Sequence, residues 1–125
     1  MPAVTSAAQL VGRYKLIKLN GGDPRTQSPV TLKIDADPSD PTRVRVTARV
    51  ANTITGSAEV SDGKIRGRLT STAMGGSPQL MAVEYVLVFG ARDGLDVTQD
   101  GDVVRMSGGA GSLEWAVSAA APFRA

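Results

Sequence analysis

Apolar and polar residues alternate with a period of two along most of this chain, the pattern of strands that bury one face. The clearest run is Arg43 to Val50. Val44, Val46, Ala48 and Val50 take one face, and Arg43, Arg45, Thr47 and Arg49 take the other. Such a strand buries its valines and leaves its arginines in water. Val30, Leu32 and Ile34 alternate with Thr31, Lys33 and Asp35 in the same way. Earlier, Arg13 to Leu19 reads as a strand whose apolar face switches between Leu16 and Ile17, which predicts a bulge or burial on both sides. Val4 to Gln9 is small and polar and is expected to be a loose lead-in. Asn20 to Pro24, Asp37 to Pro41 and Asn52 to Gly56 carry the residues of turns and loops. Ser57 to Ser61, with Ala58 and Val60 inward, is followed by Asp62-Gly63, which suits the positive-φ positions of a type I′ hairpin. The returning strand puts Ile65, Gly67 and Leu69 inward and Lys64, Arg66 and Arg68 outward. Leu95 to Gln99, a second Asp-Gly turn at Asp100, Val103 to Ser107, a flexible link at Gly108 to Gly111, and Leu113 to Val117 complete the strands. Ala119 to Ala125 reads as a frayed tail.

One stretch breaks the alternation. Ser77-Pro78 supplies an N-cap and a proline that loses no hydrogen bond at the first helical position. Leu80, Val83 and Leu87, with Met81 and Val88, then recur at helical spacing as one buried face. Gly90 is the expected stop. A helix of about 12 residues is marginal alone and must pack on the sheet. Seven to eight short antiparallel strands and one helix predict a mainly β fold: a small antiparallel barrel, or a strongly curved sheet, with the helix packed on it. No repeat or linker divides the chain, so residues 1–125 read as a single domain.

Composition narrows the chemistry. The chain has no Cys and no His, which removes disulfides, thiol nucleophiles, thiolate metal sites and the commonest general base. Its apolar runs fall short of the roughly 18 to 20 residues that span a bilayer. No secretory signal pattern opens it and no lipidation motif is present. The expected setting is the cytoplasm, as a monomer. Net charge is +2, unevenly placed: residues 1–68 hold 11 Lys/Arg against 6 Asp/Glu, and residues 69–125 hold 3 against 6.

A set of short motifs gives the chain a resemblance. Leu19-Asn20-Gly21, then Asn52 and Gly56, then Ser71-Thr72-Ala73-Met74 followed by Pro78-Gln79-Leu80-Met81 and Glu84, and a Leu113-Glu114-Trp115 ending, together resemble the META/HslJ-like domain family over about residues 10–118. The signature positions are Asn52, Gly56, Ser71, Thr72, Met74, Pro78 and Glu84. Bacterial members commonly carry Cys before the Asn and after the Met, where this chain has Ala51 and Gly75. In that respect it is more similar to the small soluble META proteins of kinetoplastid parasites, which are linked to virulence of the infective stage. The resemblance implies a barrel-like fold with a helix and no established enzyme activity. It also implies a fold-level likeness to secretion-associated lipid-binding proteins, which by itself carries no site.

The candidate chemistry is thin. Ser71-Thr72 has neither His nor Cys to activate it, so the expected role is hydrogen bonding near the helix entry, and no catalytic residue is assigned. Asp93, Asp96, Asp100 and Asp102 form one acidic cluster, and Asp35, Asp37 and Asp40 another; neither has EF-hand spacing, and no metal or cofactor is assigned. Arg43, Arg45, Arg49, Lys64, Arg66 and Arg68 would share one outer face if their strands lay side by side, a candidate for weak binding of an anionic surface. Aromatic residues for base stacking are few, so no specific nucleic acid is expected. Met74, Met81, Met106 and Trp115 could line an apolar pocket. The function expected is non-enzymatic, through an unknown protein or ligand. The alternatives are a carrier of a small hydrophobic ligand or lipid inside the barrel, or a binder of anionic surfaces.

Overall fold

The structure, a computed structural model, describes residues 3–4, 6–26, 29–72 and 76–118. Eight antiparallel strands close into a barrel in chain order: β1 (Gly12–Leu19), β2 (Thr31–Ala36), β3 (Arg43–Arg49), β4 (Thr53–Ser61), β5 (Lys64–Ser71), β6 (Leu95–Asp100), β7 (Val103–Gly108) and β8 (Gly111–Val117). β8 returns to pair with β1, which removes the two edges an open sheet would leave. One helix, α1 (Pro78–Asp93), lies between β5 and β6 in sequence.

The alternation sets the inside of the barrel. Leu32 and Ile34 of β2, Val44, Val46 and Ala48 of β3, Ile54 and Val60 of β4, Met106 of β7 and Leu113 and Trp115 of β8 are all buried. At Leu32, Ile34, Ile54, Met106, Leu113 and Trp115 exposure is at most 2%, so these side chains meet protein on nearly every side. The interior is packed, as eight strands of this geometry allow. The Trp115 indole N–H has no acceptor among the described residues. The face switch in β1 is a bulge: its register against β8 shifts between Leu16 and Lys18, and Ile17 turns outward.

Several expectations are corrected. The described residues of the lead-in are tied to the barrel, with Val4 and Ala7 buried. Val4 donates its N–H to the Val97 carbonyl (2.9 Å), Ala3 bridges to Thr98, and a 3₁₀ turn over Ala7–Leu10 follows. Ser6 and Gln9 cap that turn, and Tyr14 Oη donates to the Leu10 carbonyl (2.6 Å). Val4, Ala7 and Leu10 are buried there, a spacing too short to announce itself by periodicity. The glycine link is a tight turn, since Gly108 pairs with Gly111. Likewise Asn52 to Gly56 is not a turn: the chain reverses at Val50–Asn52 and β4 already runs from Thr53.

The helix is longer than expected, 16 residues, and Gly90 does not end it. Gly94 does, at φ 105°, with its N–H on the Gly90 carbonyl (2.7 Å). Gly90 is interior and buried because a Cβ there would stand 2.5 Å from Leu95 Cδ2. The buried helix face is Val83, Glu84, Val86, Leu87, Gly90 and Ala91; Leu80 and Val88 are half-buried, and Met81 is exposed. Residues 119–125 and Met74 lie outside the described residues.

The wall is unusual between β5 and β6. These strands pair only at Lys64–Asp96 and Ile65–Leu95. Beyond that point α1 runs along β5 in place of β6: Arg66 Nη2 donates to the Asp93 carbonyl (3.3 Å) at one end, and Ser71 Oγ donates to Glu84 (3.0 Å) at the other. In the opposite direction Val97 donates to the Gly63 carbonyl, and the N-terminal segment then takes over beside β6.

Candidate functional site

The signature residues converge at the helix. Glu84 sits on the inner face of α1, Asn52 in the β3–β4 turn and Ser71 at the end of β5. Asn52 and Glu84 are the two buried polar or charged residues among those described, at 4% and 5% exposure. The Asn52 amide N–H donates to Glu84 Oε2 (2.9 Å), its Nδ2 donates to Oε1 (3.0 Å) and Oε2 (2.8 Å), and Ser71 Oγ donates to Oε1. Thr72 extends the β4–β5 ladder, its N–H on the Thr53 carbonyl and its Oγ1 accepting from the Thr53 N–H. Pro78 stands at the first turn of α1, where Ser77 Oγ accepts the Leu80 N–H (3.3 Å). Gly56 faces β5 so closely that a Cβ would overlap the Arg68 carbonyl.

This cluster ties the helix to two strand ends. A carboxylate buried without donors would be costly; here neutral donors meet both oxygens. With its oxygens occupied by the wall of the barrel, Glu84 is geometrically a staple, and Ser71 donates to a side chain that also accepts from Asn52. Asn20 does a similar task at the end of β1, where its Oδ1 accepts the Ser112 N–H (2.9 Å) and its own N–H donates to the Ser112 carbonyl.

The basic face is rearranged. β3 and β5 are not neighbours, because β4 lies between them. Arg43 and Arg66 flank Glu59, and Arg45 and Arg68 flank Ser57, while Arg49 is opposite Thr53. Lys64 pairs with Asp96 (2.6 Å), and Arg43 Nε donates to Ser57 Oγ (3.1 Å). A basic groove that the strand pattern did not single out lies beyond β3. Arg13, Lys33 and Arg49 line about 540 Å³ of it together with Thr31, Thr47 and Ser118. Arg13 and Lys33 sit directly opposite each other across β1 and β2, a signal that needs the strand register to be seen.

The acidic clusters are occupied locally. Asp37 accepts the Ser39 N–H and hydroxyl, and Asp40 accepts the Thr42 hydroxyl and N–H, which holds both carboxyls below the ordinary aspartate value. Asp93 pairs with Arg92. Among the described residues no three acids converge as metal ligands. The apolar set does not assemble either: Met106 and Trp115 are inside the barrel and Met81 is outside.

A model of the META domain matches residues 8–120. The chain belongs to the META domain family. A solved structure, described as "NMR structure of the protein", superposes on this META domain with a TM-score of 0.75 at 18% identity, covering 91% of this chain and 96% of the other. At that identity the likeness shows the fold alone. No curated protein matches. No helix of the described residues is long and apolar enough to cross a membrane.

Proposed function

We propose that this META domain acts by binding and not by catalysis, as a cytoplasmic monomer, and that it serves the infective stage as its resemblance to the small kinetoplastid META proteins implies. The observation that carries the binding reading is Glu84: the one buried carboxylate among the described residues has both oxygens bonded to Asn52 and Ser71. The carrier alternative has little support, because the barrel interior is filled by Trp115, Met106, Leu113, Ile34 and Ile54. The outer surface is then where a partner is met. The test is a hydrolase screen of the wild-type protein with ester, phosphoester and glycoside substrates, beside Ser71→Ala and Glu84→Gln. The expected result is no turnover by any of the three. Turnover by wild type that disappears in both variants would overturn the reading.

A further inference from the structure

The solvent side of α1 is unlike that of an ordinary surface helix. Between Pro78 and Ala91 its sole charged residue is Glu84, which is buried. Met81, Tyr85 and Phe89 follow one another at helical spacing on the outside, exposed by 38%, 53% and 40%. The Tyr85 and Phe89 rings are 4.9 Å apart, and the Arg92 guanidinium lies 4.8 Å from the centre of the Phe89 ring. The stripe from Met81 to Arg92 is about 17 Å long at helical rise. A continuous apolar strip of this kind, with polar groups at its rim, marks an interaction surface.

The rim is cationic. β5, against which α1 packs, points Lys64, Arg66 and Arg68 outward, and Arg66 reaches the helix end at the Asp93 carbonyl. Arg43 and Arg45 stand two strands away, on β3, with β4 between. Carboxylates also lie among these six cations: Asp62 shares a surface hollow with Lys64 and Arg66, and Asp35 is opposite Arg45. Asp96 is held by Lys64 and Asp93 by Arg92, while Glu59 is in register between Arg43 and Arg66.

We propose that the outer face of α1, with its border of β5 arginines, docks on an anionic phospholipid membrane surface. The proposal rests on the binding reading above and names the partner. Phenol and phenyl rings with a thioether suit the boundary between headgroups and acyl chains, and guanidinium groups pair with lipid phosphates and carboxylates. The helix lies in that boundary plane and does not cross it. Charge complementarity selects this partner over a second copy of the chain. A second copy presents the same cations, Arg66, Arg68 and Arg92, and no surplus of acid to pair with them, whereas a membrane with anionic lipid attracts all three.

The experiment is flotation of the full chain with phosphatidylcholine vesicles, with and without phosphatidylserine. It is repeated in salt strong enough to shorten the screening length from about 10 Å to about 3 Å. Binding is expected with phosphatidylserine only, weakened at least tenfold by the salt. Two variants should each weaken it at least tenfold: Tyr85→Ser with Phe89→Ser, and Arg45→Glu with Arg68→Glu, which leaves the Arg66 bond in place. Unchanged emission from buried Trp115 certifies that each variant is folded. Equal binding to neutral vesicles, indifference to both variants, or a dimer that disappears in Tyr85→Ser with Phe89→Ser would overturn the proposal. A failure here leaves the binding reading standing, since that falls only to turnover lost with Ser71 and Glu84.

Discussion

Glu84 is held by neutral donors from Asn52 and Ser71, and the Asn52 bonds tie together elements 32 residues apart in sequence. Truncating it removes the acceptor that the Asn52 N–H, the Asn52 side-chain amide and the Ser71 hydroxyl share. Glu84→Ala is expected to cost about 3 kcal/mol in urea unfolding, at the upper end for buried groups left unsatisfied. Glu84→Gln keeps one acceptor but turns an NH₂ towards Asn52, so it should fall between wild type and Glu84→Ala. Tyr14 links strand and 3₁₀ turn through its bond to Leu10, and burial pushes its phenol above the ordinary value of 10.0. The folded state therefore favours the protonated form. The contribution is full below pH 10.0 and is lost as pH rises through the higher folded value. Alkaline unfolding curves of Tyr14→Phe and wild type should accordingly converge above that point. The sequence made Asn52, Ser71 and Glu84 visible as a signature, but not their contact, because spacing along a chain says nothing about which turn a helix will meet.

At the scale of elements, alternation located the strands because each buries one face, and it gave the inward valines of β3 correctly. It failed where burial comes from tertiary contact. Val4, Ala7 and Leu10 cover an end of the barrel from a stretch too short for a period. Leu10→Ala should cost about 2 to 5 kcal/mol, the range for buried leucines, measured by thermal or urea unfolding. Gly90 misled because glycine is read as a stop, whereas here it lets Leu95 approach the helix. An isolated helix gains up to about 1 kcal/mol from Gly→Ala. In this protein Gly90→Ala is expected to lower the melting temperature, since Leu95 is fully buried and cannot move away. The β3 and β5 arginines were correctly placed outward, but pairing order lies outside a strand's own pattern, so the intervening β4 could not be read from it.

For the whole molecule, the number of strands pointed to a barrel or a strongly curved sheet, and the structure closes it; whether the interior is filled was not legible in the alternation, because that depends on how the inward side chains meet across the barrel. The barrel buries the chain's one tryptophan completely. Trp115 emission is expected to be blue-shifted and insensitive to iodide until the barrel unfolds; quenching in the native state would indicate an interior open to solvent. The circumference itself is not uniform. Seven of its junctions are strand ladders of four or more residue pairs, while β5 and β6 share two. At that junction side chains do much of the joining: Glu84 with Ser71, Arg66 with Asp93, and Leu95 beneath Gly90. Side-chain joints can part while every other ladder stays intact, so the ring has a built-in clasp. Hydrogen exchange should find it: the amides of Ile65, Leu95 and Asp96 are expected to exchange through a local opening faster than their counterparts between β3 and β4. An anionic surface that draws α1 outward would speed them further.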